Sequence, residues 1–129
     1  MDYLDQDQGS YILRSASPNG EWMIIFEDNK ETGYMYLCKL DATGVIEKIV
    51  NHLWVYSKIV PAIEEYEEVD ILWSHDSSRT ALEIDGNFYG IMDLESNRKI
   101  ATTIEDNIMI PIPREIWENG IHTEQGQPL

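Results

Sequence analysis

Ser17-Pro18-Asn19-Gly20, Glu21-Trp22-Met23-Ile24-Ile25-Phe26-Glu27, Asp28-Asn29-Lys30-Glu31-Thr32-Gly33, Tyr34-Met35-Tyr36-Leu37-Cys38-Lys39-Leu40: these four runs read as turn, strand, hairpin loop and returning strand. Pro, Asn and Gly set the turn dihedrals. Trp22, Ile24 and Phe26 point one way and Met23 and Ile25 the other. Apolar residues on both faces mark an interior strand.

The same grammar extends outward. Tyr11 to Ser15 precedes the turn as a first strand, and Val45 to Tyr56 follows as a longer, less regular segment that reads as a bulged strand or a helix. An acidic link covers 58–68, and a second set of strands then begins. Val69, Ile71 and Trp73 alternate with Asp70, Leu72 and Ser74, and His75-Asp76-Ser77-Ser78 is a polar turn. Thr80, Leu82 and Ile84 follow, Asp85-Gly86-Asn87 is a tight hairpin, and Phe88 to Leu94 returns. Lys99 to Ile104 is the expected last strand. Pro113 to Gly120 reads as a short helix, with Pro suited to its first turn and Gly to its stop. The ends, 1–8 and 123–129, read as mobile tails.

The two sets repeat one another. Ser17-Pro18-Asn19-Gly20 corresponds to Ser74-His75-Asp76-Ser77, and Tyr36-Leu37-Cys38-Lys39-Leu40-Asp41 to Gly90-Ile91-Met92-Asp93-Leu94-Glu95. Each unit resembles one blade of a TolB-type or WD-type β-propeller. The resemblance implies a mainly-β fold: two four-stranded antiparallel propeller-like blades, about 10–57 and 69–104, in an open half-propeller with a short C-terminal helix. Two blades cannot close a ring. The outer strands then need cover, and the segment 105–122, with Ile116 and Trp117, is the expected cap.

The chain has 129 residues, 24 acidic against 9 basic, for a net charge of −15. That is one domain's length. Such a surface repels nucleic-acid backbones and anionic membranes, so neither is an expected partner. One cysteine, Cys38, excludes an internal disulfide. With no basic-then-apolar leader at Met1 to Asp5, the expected compartment is the cytoplasm.

No catalytic set is legible. His52, His75 and His122 show no metal-ligand spacing, and Cys38 reads as a buried strand residue. Ser74-His75-Asp76 has the letters of a triad, but adjacent residues cannot converge as one. Paired carboxylates suit a glycosidase, but here they fall in exposed loops where burial tunes pKa weakly. No enzyme activity, cofactor or metal site is expected. Trp22, Trp54 and Trp73 are expected in the core.

Blade topology places the acids. Hairpins after a blade's second strand lie on the same face as the link between blades. Glu27, Asp28 and Glu31, the link residues Glu64, Glu65, Glu67 and Glu68, Asp85, and Glu105 and Asp106 then gather on one face, with Tyr66 as an aromatic anchor. The size, acidity and doubled unit, with Trp73 to Arg79, resemble half-propeller immunity proteins of contact-dependent growth inhibition, which neutralise RNase toxins. The resemblance implies a monomer that binds a basic, RNase-like toxin one to one and covers its active site with the acidic face. The alternative is a non-catalytic adaptor or self-associating β module that pairs through an open edge strand.

Overall fold

The computed structural model describes residues 9–129. Two antiparallel sheets stack face to face. Sheet 1 is a meander of β1 (Tyr11–Ala16), β2 (Trp22–Asp28), β3 (Gly33–Leu40) and β4 (Ile46–Tyr56), in spatial order β1-β2-β3-β4. Sheet 2 repeats the meander with β5 (Val69–Trp73), β6 (Arg79–Ile84), β7 (Asn87–Asp93) and β8 (Arg98–Ala101). The architecture is therefore mainly β and propeller-like, with two blades and no closure.

The repeat is visible atom by atom at the first turn of each blade. Ser17 Oγ accepts from Trp22 N at 3.0 Å and donates to Asn19 Oδ1 at 2.7 Å. Ser74 Oγ likewise accepts from Arg79 N at 2.9 Å and donates to Asp76 Oδ1 at 2.9 Å. Gly20 has φ +75° and Ser77, in the matching place, φ +66°. Ser77 tolerates that backbone while its Oγ accepts from Asn19 N at 3.0 Å, joining the two turns. Ser74 and Asp76 are thus turn caps, and His75 is exposed. The second correspondence shifts slightly. Asp41 caps its turn by accepting from Thr43 N at 2.8 Å, and Asp93, not Glu95, does the same for Glu95 N at 3.0 Å.

The turn carboxylates carry a pH signature. Hydrogen bonds from the Ser78 hydroxyl and N–H and from Ser74 lower Asp76 from 3.8 to about 2. Hydrogen bonds from Thr43 and Val45 lower Asp41. At Asp93 burial pushes upward, but bonds from Ile121 and Ser96 and the Arg79 charge win, so it too lies below 3.8. A depressed folded value means the stabilisation is intact above pH 3.8 and is lost as pH falls toward about 2. Thermal midpoints should therefore fall in that window, and Asp76→Asn should flatten the slope.

The core lies between the sheets. Ile24, Phe26, Met35, Leu37, Leu53 and Val55 of sheet 1 meet Leu82, Ile84 and Met92 of sheet 2, all nearly or fully buried. The sheets approach closely at Gly90, where an added Cβ would sit 2.9 Å from Met35 Sδ and 3.2 Å from a Val55 methyl. Gly90→Val should destabilise by about 1–3 kcal/mol, since overpacking forces rotamers or backbone to move; urea unfolding checks this.

Sheet 2's other face is covered by its own chain. The helix α1 (Arg114–Asn119) packs Ile116 with Ile112 and Ile121 onto Ala81, Phe88 and Ile91. Trp117 stacks on Phe88 at 5.7 Å. Buried Asp93 faces Arg79 Nε at 3.5 Å, and Arg79 Nη1 donates to Trp117 O at 2.8 Å, fastening the helix end.

The long segment at 45–56 is the bulged strand, not the helix, with register shifts opposite Gly33, Leu37 and Lys39. Three expectations need correction. The chain leaves sheet 2 after Ala101, and β9 (Thr103–Glu105) instead pairs with β10 (Ile108–Ile110) as a separate ribbon. Residues 123–129 are not a tail: β11 (Gln127–Pro128) adds to the β8 edge, and Leu129 packs on the main core. Trp54 is 54% exposed, because its register with Tyr34 turns it to the outside of sheet 1. Trp22 and Trp73 pack on the core as expected. The expected tail at 1–8 lies outside the described residues.

Candidate functional site: an acid-rimmed groove

Four loops meet at one end of the blade pair. The β2–β3 hairpin reaches the link through Lys30 Nζ, 2.6 Å from Glu64 Oε2. The β6–β7 hairpin reaches it through Asp85, whose Oδ1 accepts from Glu68 N at 2.8 Å while its own N–H donates to Glu68 O at 2.9 Å. The β9–β10 ribbon closes the fourth side.

Local chemistry explains each loop. A single 3-10 turn at Ile63–Glu65 buries Ile63 in the core and leaves Glu64 and Glu65 in solvent. Asn29 Oδ1 accepts from Glu31 N and Thr32 N at 3.0 and 2.9 Å, which shapes the first hairpin. Asp85 and Gly86 have φ +47° and +86°, and Asp106 and Asn107 +50° and +65°. These paired left-handed residues make the tight two-residue turns that suit twisted ribbons.

Between link and ribbon lies a groove of about 600 Å³. Its walls are Ile59, Val60 and Tyr66 from the link, Tyr89 from β7, and Ile104, Ile108 and Met109 from the ribbon. Val60 is 85% exposed and Ile108 64%, so the groove presents apolar surface to solvent. Burial raises the Tyr66 and Tyr89 phenols, and the Asp85 charge raises both further. Both rings stay neutral, with polar tips at an apolar wall. The Tyr66 hydroxyl donates to Val60 O at 3.4 Å.

Among the described residues no carboxylate lines the groove itself; exposed carboxylates stand on the link and ribbon that wall it and on the neighbouring first hairpin. Glu31, Glu64, Glu65, Glu67, Glu68, Glu105 and Asp106 are exposed, and Tyr66 is half-buried. Asp85 is exposed too, but its carboxylate fastens the link. Lys30 is engaged by Glu64, and Lys58, which sequence reading passed over, stands on the groove wall.

Two expected rim residues lie elsewhere. Asp28 is 4% exposed and accepts from the Tyr56 hydroxyl at 2.6 Å and Lys30 N at 2.8 Å. It holds the hairpin base rather than facing a partner. The Tyr56 ring lies so close over Gly33 that a Cβ there would meet it at 2.5 Å, which explains the glycine. Glu27 shares the outer face of sheet 1 with Ile12 and Tyr34.

The opposite end differs. Asp41 and Asp76 are bound up in turn caps, Asp93 is buried, and Glu21 faces Lys39 at 3.4 Å, while Glu95 is exposed. More of the exposed carboxylates stand at the link end, beside the open apolar groove. Ile59, Val60, Tyr89 and Ile108 were not read from the sequence as site residues. The exposed apolar pair Ile104 and Ile108, flanking an Asp-Asn turn, was the available signal.

Among the described residues no group of three or more His, Cys, Asp or Glu is placed to hold a metal ion, and no helix is long and apolar enough to cross a membrane. No curated protein and no solved structure matches the chain. A family match spans residues 7–125, nearly the whole chain, and the protein belongs to that family, described as an uncharacterized protein conserved in bacteria (DUF2251).

Proposed function

We propose that this protein binds, without catalysis, a basic protein partner in the acid-rimmed groove, in the manner of an immunity protein that blocks a nuclease toxin. The observation that carries the reading is the groove itself: exposed apolar surface walled by Tyr66 and Tyr89, between a link and a ribbon that also carry the exposed carboxylates Glu64, Glu65, Glu67, Glu68, Glu105 and Asp106. Protein interfaces take this form, an apolar aromatic centre that excludes water inside a polar rim. Arginine or lysine suits such a site, with its stem on the apolar wall and its cation among carboxylates. A toxin that holds RNA needs a cationic cleft, and carboxylates set around that cleft would stand where phosphates do. The rim field would also speed encounter.

The test is association of the purified chain with the polypeptide encoded beside its gene, followed at low and high salt, with protection of growing cells as the second readout. A tight complex weakened by salt and by loss of Glu64, Glu65, Glu67 and Glu68 supports the reading. Binding that ignores both overturns it.

A further inference from the structure

Sheet 1 has a second face, and nothing among the described residues covers it. Cross-strand partners point to the same side, so the registers place Ile12, Glu27, Tyr34 and Trp54 in one row and Arg14, Ile25, Tyr36 and His52 in the next. Tyr34 stacks on Tyr36 at 5.8 Å and on Trp54 at 6.2 Å. Trp54 is 54% exposed, Ile49 on the same strand 59% and Ile12 37%. The matching outer face of sheet 2 is covered by α1, so among the described residues the stack is capped at one end and open at the other.

We propose that this aromatic face binds a second copy of the chain, forming a closed two-fold dimer with four stacked sheets. The choice of occupant rests on charge. The chain carries −15, but these two rows hold one anion, Glu27, and one cation, Arg14. The face offers a basic partner nothing that the groove end does not offer better. Against itself it is complementary: Arg14 and Glu27 sit diagonally in adjacent rows, so a two-fold operator sets each against the other in the facing copy. A two-fold interface uses one patch twice and ends there. With sheet 2 already capped by α1, the stack cannot grow further. The edge of β4 is a poorer site for strand addition, because Trp54 Nε1 donates to Tyr56 O at 2.9 Å and Lys99 Nζ to His52 O at 2.6 Å. The acidic grooves are not used in the dimer.

Sedimentation velocity across a range of protein concentrations tests this, with far-UV dichroism confirming the fold of each variant. The wild-type chain should shift from monomer to dimer as concentration rises. Arg14→Glu and Glu27→Arg singly should each weaken the dimer about tenfold or more, by setting like charges together. The double variant Arg14→Glu/Glu27→Arg should restore it, and Trp54→Ala should weaken it. A wild-type monomer at every concentration overturns the proposal. So does a dimer indifferent to the single reversals, or a double variant that fails to recover. Occlusion of Trp54 only when another protein binds would assign the face to that protein and overturn it equally.

Discussion

Asp93→Ala should lose about 3–5 kcal/mol of unfolding free energy, the usual result of breaking a buried ion pair by removing one partner. Asp93 is 1% exposed. Its Oδ2 accepts from Ile121 N at 2.9 Å, and its Oδ1 from Glu95 N at 3.0 Å and Ser96 N at 3.2 Å. Alanine leaves those donors without an acceptor and Arg79 buried without a counter-charge. Arg79 also holds the carbonyl end of α1 through Trp117 O. The loss should therefore appear first as release of the cap: Trp117 leaves Phe88 and its fluorescence shifts to the red. A small domain has only about 5–15 kcal/mol in total, so the variant should stand near the unfolding threshold. Urea titration followed by Trp fluorescence measures it. Replacing the pair together, as Arg79→Met with Asp93→Asn, should recover part of the loss, because it removes the orphaned charge. A change in Asp93→Ala below about 1 kcal/mol would mean that this pair does not latch the cap.

Much of the fold was legible because its rules are local. Ser17 and Ser74 cap turns through residues two and five positions away, so the letters alone reveal the doubled unit. Asp85-Gly86 sets its own hairpin in the same way. Features that depend on distant chain were not legible. Asp28 reads as loop charge, and only the reach of Tyr56 from β4 makes it a buried acceptor. Trp54 reads as core, but the register shifts that turn it outward are set by how β3 and β4 pair. Residues 123–129 read as a polar tail, and their strand exists because β8 offers a free edge. Blade topology brings the β2–β3 and β6–β7 hairpins to the link, where Lys30 meets Glu64 and Asp85 meets Glu68, while the apolar groove beside them needs the ribbon at 103–110, which folds away from the sheet.

Neutralising the link should have the largest effect on binding. Glu64→Gln/Glu65→Gln/Glu67→Gln/Glu68→Gln changes exposed side chains, and such surface changes leave stability nearly unaltered. The Lys30–Glu64 pair lies in solvent, which screens it, so the fold should hold. Association with a basic partner should slow by on the order of tenfold or more, and its salt dependence should shrink. The control carries the same change of charge elsewhere: Glu47→Gln/Glu95→Gln/Glu115→Gln/Glu118→Gln, also exposed. If net charge alone mattered, the two sets would behave alike. If the groove is the site, only the first set should slow binding strongly. Stopped-flow association rates at low and high salt separate these cases.

The most direct test of the acidic groove as a cation-binding surface is an amide NMR titration with a short oligo-arginine peptide. Saturable shifts centred on Val60, Tyr66, Tyr89 and Ile108 are expected, lost in the four-glutamine link variant. Shifts spread evenly over the surface, or centred on the opposite turns at 41–44 and 74–78, would contradict it.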